Sequence, residues 1–178
     1  MTKIFLCNRI LLSVFLIFFL SHSYSQVTTC PASENKKAIH FFKDASDAFK
    51  LRKYDDAKTL AGKAVDEDPE FADAYLLQGK IALKKRDDKE MEMNFKKVIE
   101  LCPDLDPEVY FQLGWLYFDI KKWKESEEQL NKFLGIDKIN EDHAVKAESM
   151  LVKAKLYAHP VPFVPVAVKD LGRVLPPV

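Results

Sequence analysis

Past its first 20 residues the chain has no long apolar run, it carries no excess of charge of either sign, and its three cysteines are widely scattered. Each scarcity excludes something. Without a later stretch of about 20 apolar residues there is no candidate membrane-spanning helix past that point. With 27 basic and 27 acidic residues there is no basic field to attract nucleic acid or anionic lipid. Cys-x-x-Cys and His-x-x-x-His spacings are missing, so His40, His143 and His159 suggest no metal site and no cofactor. A Gly-rich phosphate loop, a Gly-x-Ser-x-Gly elbow and a cysteine beside an activating base are missing too. The common routes to catalysis on a small-molecule substrate are thereby removed, and no catalytic residue stands out.

What is present begins with Lys3 and Arg9 ahead of an 11-residue apolar run, Ile10 to Leu20, followed by the small residues Ser23 and Ser25. That order is the pattern of a secretory signal peptide, and the run is too short to cross about 30 Å of hydrocarbon. Cleavage after Ser25 leaves a mature chain of 153 residues with 25 basic and 27 acidic side chains and no stable transmembrane segment. A lipoprotein needs a cysteine directly behind the apolar run, and Cys30 lies ten positions past Leu20. Export would carry Cys30 and Cys102 into a compartment where disulfides form. One falls in a lead-in expected to be flexible, residues 26–37, and the other at a helix end, so the expectation is that the two thiols stay unpaired.

An internal repeat organises the rest. Pro69 and Pro103 are 34 apart, Gly79 and Gly114 are 35 apart, and each proline closes about 30 helix-forming residues. Three blocks follow, 38–71, 72–106 and 107–140. In each, apolar residues recur at helical spacing in two runs separated by a polar turn, such as Tyr75, Leu76, Gly79, Ala82 and Leu83, then Met91, Phe95, Val98 and Ile99. Each block is a helical hairpin, and the fold class is all-α. Gly79 and Gly114 sit inside helical patterns, where each costs about 1 kcal/mol relative to alanine, so close helix packing is expected there. A last amphipathic helix, 142–158, is placed to cap the final hairpin. From His159 the prolines 160, 162, 165, 176 and 177, among valines and Phe163, make a tail or linker, 159–178, that favours extended geometry.

These residues resemble the tetratricopeptide repeat. The first block supplies Phe41, Ala45, Ala48, Ala57, Ala61, Ala64 and Pro69, and the second supplies Tyr75, Gly79, Ala82, Phe95 and Pro103, with Met91 and Val98 where alanines are expected. The third supplies Tyr110, Leu113, Gly114, Tyr117 and Trp123 and departs with Ser126, Leu130 and Phe133. The resemblance implies a solenoid whose first helices line a concave groove.

The acidic pairs Asp55–Asp56 and Asp87–Asp88 both begin a second helix, where negative charge meets the helix dipole and free N–H groups, so they read as caps and not as catalytic dyads. Helical geometry sends a column of side chains from each first helix into the groove. The expected partner-binding residues are Phe42, Phe49, Leu76, Lys80, Leu83, Lys84, Phe111, Trp115 and Phe118. So much apolar surface on one groove calls for an occupant, either a protein or peptide partner or the chain's own tail through Phe163. One tetratricopeptide mode clamps a terminal carboxylate with Lys and Asn where this chain has Phe42 and Ser46, and that mode is not expected here.

The junction Ala158 to Phe163, Ala-His-Pro-Val-Pro-Phe, is similar to the segment that follows tetratricopeptide repeats in Gram-negative envelope proteins carrying a β-propeller and an outer-membrane-protein-A (OmpA)-like, peptidoglycan-binding domain. That resemblance implies a periplasmic or outer-membrane-associated protein of the cell envelope, of a kind that includes adaptors of type IX secretion and gliding machinery. The chain ends at Val178, where a propeller would begin. The expected function is a non-catalytic interaction scaffold; the alternatives are a structural spacer or the N-terminal module of a larger peptidoglycan-associated protein.

Overall fold

The computed structural model describes residue 30 and residues 32–160; the signal-like opening and nearly all of the proline-rich tail lie outside the described residues. Among the described residues there are seven helices and no strands: α1 (Lys36–Lys50), α2 (Tyr54–Glu67), α3 (Ala72–Lys85), α4 (Asp88–Leu101), α5 (Glu108–Asp119), α6 (Trp123–Leu134) and α7 (Glu141–Ala158). The first six pair as α1 with α2, α3 with α4 and α5 with α6, and α7 packs on α6 and α5. No helix among the described residues is long and apolar enough to cross a membrane.

The hairpin turns repeat one device. Arg52, Arg86 and Lys121 hold φ of 59°, 59° and 61°. The next residue in each case donates its N–H back across the turn, Lys53 to Ala48 at 2.9 Å, Asp87 to Ala82 at 3.0 Å and Lys122 to Tyr117 at 2.8 Å. This left-handed closure satisfies a carbonyl that the helix end would leave free. Three of the seven helix starts are capped by the side chain of the residue just ahead: Asn35 accepts from the Lys37 and Ala38 N–H groups, Asp87 from Glu90, and Asn140 from His143, whereas the residues just ahead of α2, α3, α5 and α6 make no such bond. Asp55 acts differently, pairing with Lys85 across the hairpins, and that hydrogen-bonded ammonium holds its carboxyl below the usual range.

The two helical glycines mark where helices touch. A methyl group on Gly79 would lie 2.3 Å from Phe95 Cε1, and one on Gly114 would lie 2.7 Å from Leu130 Cδ2. The second helix of each hairpin therefore drives a large side chain into the space the glycine leaves, and Ala45 occupies the like place in the first hairpin, fully buried. Ser126, where the repeat pattern favours alanine, is also fully buried and donates its hydroxyl to the Gly114 carbonyl at 2.9 Å. Its polar atom is satisfied by the same close approach.

The core runs through the stack in adjoining layers. Ala45, Ala57, Ala61, Leu77 and Ile81 join the first and second hairpins; Met91, Phe95, Val98, Val109 and Leu113 join the second and third. Phe111, Leu130, Phe133 and Ala147 join the third to α7. At the outer edge of the middle layer the Tyr117 hydroxyl donates to Glu92 at 2.9 Å, and the Lys96 ammonium donates to the same carboxylate at 2.6 Å. Lys96 first, then Tyr117, hold the Glu92 carboxyl below its ordinary value, and burial pushes the Tyr117 phenol up. A depressed carboxylate contributes stability that is full above the unfolded value, about 4.3, and is lost as pH falls through the folded value. Glu92→Gln should therefore cost about 1 kcal/mol at neutral pH, given the partial exposure of the pair. Urea melts should show that gap from wild type closing as pH drops below about 4.

The N-terminal segment departs most from the sequence reading. Cys30 and Cys102 form a disulfide across 72 positions, with Cα atoms 5.6 Å apart, inside the usual range. Ser33 Oγ donates to Asp68, and the Asn35 side-chain amide donates to the Glu67 carbonyl at 2.8 Å. The described residues from Cys30 to Asn35 thus strap together the turn after α2 and the turn after α4. The bond corrects the expectation of unpaired thiols, and α1 already begins at Lys36, inside the lead-in expected to run to residue 37. Stacking helix pairs brings successive inter-hairpin turns to the same edge, which puts Cys102 within reach of Cys30 despite their distance in sequence.

Candidate functional site

The first helices of the hairpins line one face, as their apolar columns require. Two adjoining clefts lie on it. One, of about 280 Å³, is walled by Phe49 of α1, by Leu76, Lys80, Leu83 and Lys84 of α3, and by Glu108, Val109 and Gln112 of α5, with Phe95 at its floor. The other, of about 590 Å³, shares Leu83 and Gln112 and continues past Phe111, Trp115 and Asp119 to His143 of α7. The shared residues make the clefts one continuous groove.

Of the nine residues expected to bind a partner, five line the first cleft (Phe49, Leu76, Lys80, Leu83 and Lys84), and Leu83, Phe111 and Trp115 line the second. Two stand apart from both. Phe42 packs on Phe71 with ring centres 5.0 Å apart, and Phe118 meets Trp123 edge-on at 5.3 Å, which in turn stacks on Tyr157. Phe111 differs in another way: it is 2 % exposed, a core residue that touches the groove only by its edge. Its ring stacks on His143 at 4.3 Å and meets Trp115 edge-on at 5.8 Å. Trp115, 42 % exposed, is the aromatic surface an occupant would meet.

Part of the charge on the groove is met from within, while Arg86, Asp88 and Asp119 line the second cleft with no ion-pair partner among the described residues. Lys80 pairs with Asp106 at 2.8 Å, and Glu108 accepts from or shares a proton with His143 Nδ1 at 2.6 Å. Lys84 has no ion-pair partner among the described residues and stands at the mouth of the first cleft. Sequence reasoning missed Asp106, Gln112 and His143. The last belongs to α7, the capping helix, whose docking carries it over Phe111. Its position three residues after the cap Asn140 fixes which way it faces, but only the packed structure shows what it meets. The segment with Phe163, weighed as another occupant, lies outside the described residues.

Stacked helical hairpins with an apolar groove along their first helices define a tetratricopeptide-like helical solenoid. Residues 72–105 and 107–140 match the family model of the tetratricopeptide repeat, so the second and third hairpins are such repeats. No curated protein sequence matches the chain. Among solved structures the chain is similar to the first tetratricopeptide domain of Spaghetti (RPAP3) bound to the HSP90 peptide SRMEEVD, with a TM-score of 0.60 and 18% identity over 67% of this chain and 94% of that one. It is also similar to the TPR2B domain of yeast Sti1 in complex with pHsp70, with a TM-score of 0.55 and 18% identity over 67% of this chain and 96% of that one. A third is the type III secretion chaperone SycD of Yersinia enterocolitica in complex with a peptide of the translocator YopD, with a TM-score of 0.57 and 14% identity over 68% of this chain and 94% of that one. At such identities the likeness concerns the fold.

Proposed function

We propose that this protein is an exported, non-catalytic scaffold that holds an extended segment of a partner protein in the groove running from Phe49 to Trp115. The observation that carries this reading is the continuity of the two clefts, whose exposed lining is mostly apolar, with Lys80 held by Asp106 and Glu108 hydrogen-bonded to His143 beside it. A segment with two apolar anchors fits such walls, one in the cleft over Phe95 and one on Trp115, with Lys84 available to a single acidic side chain between them. That similar structures are complexes with peptides supports peptide binding as a use of this fold. A carboxylate clamp is not part of the reading, because Phe42 and Ser46 stand where that mode uses Lys and Asn.

Export is supported by the signal pattern ending at Ser25 and by the Cys30–Cys102 disulfide, which fits an oxidising compartment. Within a cell envelope the partner would be another protein of the same assembly, and the junction at Ala158 to Phe163 supports an adaptor of the secretion or gliding type.

Selection of random peptides on the purified chain tests the groove. Selected peptides should lose about tenfold in affinity to Trp115→Ala and to Lys84→Glu, both at exposed positions where the fold is undisturbed. Peptides that bind both variants as well as wild type would show that the groove is not the site.

A further inference from the structure

The capping helix α7 has two faces of opposite fate. Ala147 and Ala154 are fully buried in the stack, with His143, Met150 and Leu151 half-buried beside them. On the other side Val145, Val152 and Leu156 are 67 %, 69 % and 58 % exposed, with exposed Ser149 between them. The positions 145, 149, 152 and 156 are spaced four, three and four apart, which is the spacing of a coiled-coil seam. Glu141 and Glu148, followed by Lys155, flank that seam on one edge and Lys146 and Lys153 on the other, and Asp142 stands at its N-terminal end. None of these residues has an ion-pair partner among the described residues.

We propose that α7 pairs in parallel with α7 of a second copy of this chain. In a parallel pair, a residue on the first edge meets the residue five places on from the other helix. Glu141 then faces the partner's Lys146, and Glu148 faces the partner's Lys153. With the twofold axis these make four attractive contacts. An antiparallel pair would set Lys146 against the partner's Lys153 and gain only Glu148 against the partner's Lys155, whereas the parallel pair keeps its four attractive contacts against one self-facing position, Asp142, so charge favours the parallel arrangement. The buried face of α7, through Ala147 and Ala154, looks into its own solenoid on the side of the helix opposite the seam, so pairing along the seam directs the two solenoids away from each other. Two heptads bury less than a standard interface, and the dissociation constant should be on the order of 10 µM.

Sedimentation equilibrium on the purified chain, taken to on the order of 100 µM, should show a monomer–dimer equilibrium. Val152→Asp changes an exposed position, so its melting curve should match wild type while its dissociation constant rises by about tenfold or more. Lys153→Glu should weaken the dimer similarly, and Glu148→Lys combined with Lys153→Glu should restore it to within about threefold, because the pairs reform with signs exchanged. Ser149→Cys should crosslink the dimer through its own thiols under mild oxidation, as only parallel helices bring that position against itself. A chain that stays monomeric throughout, or a dimer indifferent to Val152→Asp, overturns the proposal. So does a monomer whose residues 161–178 become sensitive to protease only on Val152→Asp, which would give the seam to the chain's own tail.

Discussion

Changing both Cys30 and Cys102 to serine should cost about 4 kcal/mol of stability and lower Tm by roughly 12 °C. The estimate follows from the length of the loop that the bond closes. A separation of 72 positions removes much freedom from the unfolded chain, whereas the strap's two hydrogen bonds, from Ser33 and Asn35, are worth about 1 kcal/mol each. The covalent tie therefore dominates the strap. Thermal melts followed by circular dichroism check this. Wild type in thiol reductant should melt with the double variant, and the variant itself should not respond to reductant. Equal melting of oxidised and reduced wild type would remove the disulfide from the account of stability.

The second large effect comes from a single methyl group. Gly79→Ala gains about 1 kcal/mol of helix propensity, yet the new Cβ would stand 2.3 Å from the Phe95 ring. Phe95 is 2 % exposed and enclosed by Met91, Val98 and Leu113, so the ring cannot withdraw without opening the core. Overpacking of this kind costs about 1–3 kcal/mol or more, and the overlap wins, for a net loss of about 2 kcal/mol. Gly62 offers the opposite case, because nothing lies within 4 Å of its missing Cβ. Gly62→Ala should stabilise by about 0.5–1 kcal/mol. Denaturant midpoints moving in opposite directions for the two substitutions would confirm the assignment of close contact, and adding Phe95→Leu to Gly79→Ala should recover part of the loss.

These two predictions mark what the sequence made legible and what it did not. Gly79 and Gly114 were readable because a glycine inside a helical pattern needs a local reason, and the 34-residue period supplied one. The column from Phe49 to Trp115 was readable for the same cause: once hairpins stack, helical spacing alone decides which side chains share a face. Phe111 shows the limit. Its place in the column is correct, but α7 folds over it, and the ring becomes the floor under His143 and Trp115. The burial depends on how a helix more than 30 residues downstream docks, which no local pattern encodes. The disulfide was hidden similarly, since Cys30 and Cys102 meet only through the superposition of two inter-hairpin turns. Asp106 escaped notice because a short acidic residue in a turn has many roles, and only the packed structure shows that it neutralises Lys80.

The strap has a mechanical side as well. Because Cys30 is bonded to Cys102, a pull applied to the chain ahead of Cys30 enters the fold at the end of α4 and bypasses everything between. The first two hairpins carry no tension, and about 250 Å of extended chain stays sequestered however hard the molecule is drawn. Only the third hairpin and α7 lie in the line of force. A protein suspended between two anchors could thus yield at one end while keeping the cleft wall formed by α1 and α3 unloaded, and reduction of a single bond would transfer the load to all seven helices.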